Sequence, residues 1–403
     1  MKKRLFTPGP TPVPEQVTLA MAEPIIHHRQ PEFKELFRRV SDNLQYLFQT
    51  RREVYTFTSS GTGAMEAAVC NLLSAGDTAL YVNGGKFGER WGELCSVYGV
   101  DAQEITVEWG DAVQEEQVFD MLKKFPRAKA IFLTHSETST GVVTDVRAIA
   151  NVVRKQTDAV VVVDGISSVG ALELRMDDWG IDVLLAASQK GLMIPPGLAF
   201  LAVNERAWKL AERSRLPKYY FTLTAAKKSF ADSETPWTPA ITLFVGLDTA
   251  LRMIRNEGIE NVWRRHEKLA RAIRAGCEAL QLQLLARYPS NALTAVRVPA
   301  TIAGKQLLKV MKDRYGITFA GGQGHLRGKI FRIAHLGFYD ELDVVAMISA
   351  LEGALRECGW GGSGGMLEPG AGVRAVQIEF QTSVHAEAGT VPSVLGSAST
   401  RNL

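Results

Sequence analysis

A chain of 403 residues is too long for one small core and ordinary for a protein of two domains. With 46% hydrophobic and 22% charged residues it has the composition of a globular protein that folds in water. A net charge of +3, with both signs interspersed, gives no sign of a nucleic-acid footprint or a basic membrane-surface patch.

Residues 1–35 hold turn chemistry, TPGPTPVP and then EPIIHHRQPEF. Prolines at this density fix an extended segment that cannot be a helix interior. The start reaches proline after a single Leu-Phe pair, too soon for the apolar core of a signal peptide, and no later run is long enough to span a membrane. From about 33 to 49, FKELFRRVSDNLQYLFQ has the apolar spacing of an amphipathic helix. Short apolar runs then alternate with helical stretches: VYTFT, TALYVN, AQEITVEW, AIFLTH, AVVVVD, DVLLAAS and LAFLAVN. Several are apolar on both faces, as buried parallel strands are. The alternation predicts an α/β fold with a large, doubly wound, mostly parallel sheet.

Helical stretches near 240–257 and 259–284 lead into a second rhythm. Strand (TAVRVP), helix (KQLLKVMKDRY), strand (KIFRIAHL) and helix (DELDVVAMISALEGALREC) suffice for a smaller C-terminal α/β domain. The expected divisions are an N-terminal segment 1–20, a large domain 21–250, a small domain 251–360, and a linker and tail 361–403. GGSGG after Trp360 has the composition of a flexible linker. The tail reads as poorly ordered or loosely docked, with VRAVQIEF as a short strand. The four cysteines (Cys70, Cys95, Cys277, Cys358) share no CxxC spacing, so a reducing cytoplasm is the expected setting.

In open α/β sheets ligands sit at the carboxyl ends of the strands. VYTFT runs into SSGTGAMEAA, a turn that opens a helix and leaves the N–H groups of Gly61, Thr62 and Gly63 for an anion such as phosphate. The hydroxyls of Ser60 and Thr62 could add bonds. TALYVN ends in GGKFGERW, a glycine-rich loop carrying Phe87, and AIFLTH in HSETSTG, offering His135, Ser136 and Thr138. AVVVVD ends in Asp164, a carboxylate that is costly to desolvate without a partner. DVLLAAS ends in Gln189 and Lys190. By itself each piece has a plain explanation: a tight turn, a structural aspartate, a surface lysine. One ligand uses them together. Pyridoxal 5'-phosphate needs a phosphate cup, a carboxylate on its ring nitrogen, a lysine for its aldehyde and a flat group against its ring. That convergence requires all these strands to share one sheet edge.

TPGPTPVP, HHRQPEF, SSGTGAMEA, THSETSTGV, VVDGISSVG, SQKGLMIPPGLAF, TPWTPA and FRIAHLGF, in this order, resemble the class-V aminotransferases of pyridoxal-phosphate fold type I. The likeness is greatest to the alanine–glyoxylate and serine–glyoxylate aminotransferase group. The resemblance implies that Lys190 forms the Schiff base with the cofactor and that Asp164 partners the pyridine nitrogen. It further implies that Gly61, Thr62 and Gln189 hold the phosphate and that Thr138 sits near the ring's phenolic oxygen. Phe87 stands where the family often stacks a tryptophan. Arg332 would clamp the substrate carboxylate as a bidentate fork, with the loop GGQGH before it closing over the substrate. Thr238 would reach the phosphate of a neighbouring subunit, which implies a homodimer.

The activity so implied is transfer of an amino group from serine, alanine or aspartate to glyoxylate or pyruvate, with ping-pong kinetics and no metal. Three alternatives stay open. A lyase or desulfurase on the same fold is one, although Cys277 and Cys358 fall in or at the end of helices rather than on a loop. An accessory subunit with this fold is another. A nucleotide-binding module, the third, lacks both its acidic residue and a P-loop lysine.

Overall fold

The four valines Val160–Val163 and the runs Ala130–Thr134 and Val183–Ala187 are buried along their whole length, which places them in the middle of a sheet covered on both faces. In the computed structural model, which describes residues 2–361 and 368–388, the strands in chain order are β1 (Arg4–Phe6), β2 (Val54–Phe57), β3 (Thr78–Asn83), β4 (Asp101–Thr106), β5 (Ala130–Thr134), β6 (Ser136–Glu137), β7 (Val142–Val143), β8 (Val160–Asp164), β9 (Val183–Ala187), β10 (Ala199–Val203), β11 (Leu293–Arg297), β12 (Ile317–Gly321) and β13 (Ile330–Ala334). The larger sheet has the order β2-β10-β9-β8-β5-β3-β4. β10 is antiparallel to both neighbours, and the other pairings are parallel. β2 therefore runs with the parallel set, and six strands deliver their carboxyl ends to one edge.

Alternation along these strands feeds two cores. Val161, Val163, Ile131 and Leu184 face the layer that contains helices Pro31–Phe48 and Ile241–Glu257. Val160, Val162, Phe132 and Leu185 face the layer that contains helices Gly61–Leu72 and Lys86–Val97. The Pro-dense start pairs as β1, bends over residues 7–10, and enters no helix before the short one at Glu15–Ala20.

The smaller sheet has the order β1-β12-β13-β11 and packs on helices Ile259–Ala279, Gly304–Tyr315 and Glu341–Glu357. Its edge strand comes from the other end of the chain: β1 runs parallel to β12, with Arg4 opposite Ile317. Among the described residues no helix is long and apolar enough to cross a membrane.

The tail corrects the expectation drawn from its sequence. VRAVQIEF is not a strand; it lies within a helix, Ala371–Ala388, that packs into the small-sheet core. Val376 (0% exposed) and Phe380 (6%) are buried there with Cys277, Leu280 and Ile348, whereas Ile378 is 63% exposed. The spacing Val373, Val376, Phe380 is a helical stripe that overlays the alternating pattern. An ion pair between Arg271 and Glu379 (3.0 Å) and a bond from the Gly370 N–H to Glu352 (2.6 Å) add to the docking. Most of GGSGG and the chain beyond Ala388 lie outside the described residues. Phe380→Ala is expected to cost about 3 kcal/mol, read as a lower urea midpoint with unchanged slope.

Candidate active site

β8 ends on Asp164, and β9 leads through Ser188 and Gln189 to Lys190, so the common strand direction puts a carboxylate and an amine at adjacent strand ends. Both are buried, at 4% and 9% exposed. One Asp164 oxygen accepts the Ile166 N–H (2.8 Å). Burial, helped by the like charge of Glu137, pushes the Asp164 carboxyl up to about 7, against the pull of the Ile166 N–H and the nearby charges of Lys190 and Arg90. Burial pulls the Lys190 amine down to about 8, opposed by Asp164 and reinforced by Arg332 and Arg90. Two groups that ordinarily titrate far apart are thus both poised near neutrality.

The amine is covered by a segment that sequence reasoning left out of the site. Lys190 Nζ donates to the Pro8 carbonyl. Thr11 bonds back to this stretch through its N–H, to the Gln189 carbonyl (3.2 Å), and through its hydroxyl, to the Lys190 carbonyl (3.1 Å) and the Gln189 carbonyl (3.4 Å). Gly9 has φ +152°, and a Cβ there would stand 2.5 Å from Lys190 Nζ, so only glycine lets the strap lie this close. The one signal in the sequence was the stiffness of TPGPTP.

Helix Gly61–Leu72 forms the cup. Ser60 precedes it in an extended conformation and makes no side-chain cap bond. The Gly63 N–H is already taken by the Ser60 carbonyl (2.9 Å), which corrects the expectation of three available donors. The N–H groups of Gly61 and Thr62 have no acceptor among the described residues and point out of a helix N-terminus. A Cβ on Gly61 would meet Ile166 at 2.5 Å, so the turn sits tightly beside the end of β8. Gln189 has its amide oxygen buried without a partner. Its two amide ends are interchangeable by a flip, so it can serve an incoming acceptor as well. An orphaned amide, two free N–H groups and a dipole suit a phosphate.

Phe87 is not on a loop. It lies in the first turn of helix Lys86–Val97, half-buried, with the Arg90 guanidinium 5.0 Å from its ring centre. Arg90 Nη1 also donates to the Thr62 hydroxyl (3.2 Å), which ties the ring helix to the cup.

Arg332 is buried (7% exposed) rather than on the surface, and burial brings its guanidinium down to about 10. Its Nη1 donates to the Thr138 carbonyl (2.7 Å) and its Nε to the Gly321 carbonyl (2.9 Å). Among the described residues no carboxylate lies within ion-pairing distance of it. The GGQGH loop joins β12 to β13, and its His325 ring packs 4.5 Å from Trp109. Glu137, beside Thr138, was not singled out from the sequence. Its buried carboxylate accepts the N–H groups of Phe87, Gly88 and Ser139 (each 3.0 Å) and the Ser139 hydroxyl (2.6 Å).

Other candidates stand apart. Burial holds His135 down at about 4, a neutral ring edge-on to Trp179, and Ser136 is bonded to Ser290 (2.8 Å). Thr238 is exposed on the loop before helix Ile241–Glu257, where Trp237 stacks on Tyr219 (4.9 Å); no hydrogen bond links it to the other residues of the site. Burial pushes the Cys277 thiol up to about 12 and raises Cys358, the reverse of an activated nucleophile. Among the described residues no group of three or more His, Cys, Asp or Glu is placed to hold a metal ion.

The family model described as aminotransferase class-V matches residues 4–331. The chain is 43% identical over 387 residues to a protein named soluble hydrogenase, small subunit, from Synechococcus sp. (strain PCC 6716), covering 95% of this chain and 99% of that one. It is 38% identical over 368 residues to a serine–glyoxylate aminotransferase of Hyphomicrobium methylovorum, covering 88% and 90%. In structure it is similar to ureidoglycine–glyoxylate aminotransferase from Bacillus subtilis, with a TM-score of 0.89 at 27% identity over 94% of this chain and 98% of that one. With the amine, carboxylate and anion cup meeting at one sheet edge, the chain belongs to the class-V aminotransferases and is a pyridoxal-phosphate-dependent aminotransferase.

Proposed function

We propose that this aminotransferase moves the amino group of a small amino acid (serine, alanine or aspartate) to a small 2-oxo acid, glyoxylate or pyruvate, and that it acts as a homodimer. The observation that carries the reading is Arg332. A buried guanidinium whose hydrogen bonds go to carbonyls, at the edge that holds Lys190 and Asp164, is ion-paired to no carboxylate among the described residues, although the charge of Glu137 is felt there, and a substrate carboxylate would supply a partner with matching geometry. The glyoxylate aminotransferase among its relatives supports the substrate class.

When bound, the cofactor supplies an aldehyde for covalent attachment and a ring that accepts electron density. Lys190 would hold the aldehyde and Asp164 the ring nitrogen. Ser60, Gly61, Thr62 and Gln189 would hold the phosphate, with Phe87 against the ring and Thr138 near its phenolic oxygen. Lys190 Nζ, brought down to about 8 by burial, can take a proton from the substrate α-carbon and return it. Arg332 fixes the carboxylate meanwhile, so the bond to the α-proton is presented in one orientation. Thr238 is assigned to the partner's phosphate, on the resemblance and on its exposure beside stacked aromatics. The four free cysteines suit a reducing compartment.

The test is spectroscopic. The purified holoenzyme is expected to lose its visible band on addition of L-serine, L-alanine or L-aspartate and to regain it with glyoxylate or pyruvate. A band that none of the three amino acids changes, or that neither oxo acid restores, overturns the substrate reading. A monomer on sedimentation at assay concentration overturns the dimer. The pKa of Lys190 gives a further expectation. Only the neutral amine reacts with an aldehyde, so the rate at which apoprotein takes up pyridoxal phosphate should rise through pH 8 and level off above it, instead of climbing toward 10.5.

A further inference from the structure

Helix Lys86–Val97 carries Phe87 but has no cap of its own. Its N-cap is Gly85, which has no side chain, and no side-chain cap bond is made locally. The first N–H groups of a helix have no intrahelical acceptors and must be met from elsewhere. Here they are met by a turn some fifty residues further on. The Ser139 hydroxyl accepts the Lys86 N–H (3.0 Å), and the Glu137 carboxylate accepts those of Phe87 and Gly88. Glycine at 85 makes the approach possible, since a Cβ there would stand 2.4 Å from Ser139 Oγ and 2.5 Å from Glu137 Cδ. The turn is locked in its own right, with the N–H groups of Thr140 and Gly141 bonded to the Glu137 carbonyl (3.2 and 2.8 Å). Between the two capping residues lies Thr138, whose carbonyl holds Arg332 Nη1.

A single three-residue turn therefore grips the helix that presents the aromatic ring and the guanidinium that lies ready for a carboxylate. We propose that Glu137 is a positioning residue that fixes Phe87 and Arg332 relative to one another, so that the cofactor ring and the substrate carboxylate are held in one frame. The inference rests on the roles proposed above for Phe87 and Arg332. A carboxylate suits the task because it accepts several N–H and O–H bonds at once, and a buried one that is so satisfied is rigid. Glutamine keeps the shape, but its NH2 end would face amide N–H groups, donor against donor.

The test is a double-mutant cycle read on cofactor binding. Apoprotein of wild type, Glu137→Gln, Phe87→Ala and the double variant is titrated with pyridoxal phosphate. Glu137→Gln is expected to raise the cofactor Kd about tenfold, and to raise about tenfold the KM of whichever of L-serine, L-alanine and L-aspartate turns over fastest, the size expected for a lost charge-assisted bond. In the Phe87→Ala background it should change the Kd little further, because the ring it positions is gone. A full tenfold effect in that background means Glu137 acts only as a general stabiliser and overturns the proposal, as does an unchanged donor KM. If Phe87→Ala alone leaves the Kd unchanged, the role of Phe87 falls first and the inference falls with it. Should Glu137→Gln not fold, Ser139→Ala removes one acceptor from the same helix end and carries the same cycle with the same expected non-additivity.

Discussion

Lys190→Ala is expected to lower turnover by about 10³-fold or more while leaving the fold and the phosphate cup intact, because positioned proton transfer alone contributes about 10² to 10⁴. The side chain makes one hydrogen bond, to the Pro8 carbonyl, and sits among residues that hold their places without it: Thr11 bonds to main-chain carbonyls rather than to the amine. Removing a buried amine also relieves a desolvation cost, the same cost that brings its pKa down to about 8. The variant should therefore melt no lower than wild type as apoprotein. Added methylamine is expected to restore part of the rate, since the truncation leaves room where Nζ stood. Borohydride should attach cofactor to the wild type and not to the variant, and turnover retained at the wild-type level would remove Lys190 from the chemistry.

Asp164→Asn is expected to cost about 10²-fold in kcat, the order measured when one fixed electrostatic partner is lost from an enclosed site. Its size and the bond from Ile166 can be kept, so what changes is the charge that, in the role proposed above, would stand opposite the ring nitrogen. A carboxylate there favours a protonated ring, and an amide does not. The surroundings of Asp164 tune this position strongly. Burial lifts Asp164 to about 7 even with Lys190 and Arg90 nearby, so at neutral pH its charged and neutral forms are evenly matched. Affinity for pyridoxal phosphate should accordingly fall as pH drops from 8 to 6 in the wild type, where protonation removes the charge, and change less over that range in Asp164→Asn. A wild-type profile that is flat between 6 and 8 would contradict the assigned tuning.

The pieces of this site that were legible in the sequence share one property: they stand at the ends of strongly apolar strands. Asp164 after four valines and Lys190 after VLLAAS could be placed at one edge because parallel strands leave little choice of direction. Arg332 was harder, since a strand arginine is usually exposed, and only the resemblance marked it. The pieces that stayed hidden depend on contacts between distant segments. Nothing near Gly85 shows that its helix is capped by Glu137, and nothing near Lys190 shows that Pro8 and Gly9 cover it. The tail failed for a different reason. VRAVQIEF satisfies both a two-residue and a three-to-four-residue period, and what decides is the groove made by Leu280, Ile348 and Cys277, which a local window does not contain. Thr238 makes no hydrogen bond to the site within this chain, and its role rests on the dimer proposed above.

β1 gives the start of the chain a second task besides covering the lysine. It is only three residues long, yet it closes one side of the small sheet by pairing with β12. Without it β12 would offer a row of unpaired N–H and C=O groups to solvent, the template on which strands from other molecules add. Damage to the first six residues would then be felt as loss of solubility as much as loss of activity, with self-association taking place on β12, the strand beside the one that holds Arg332.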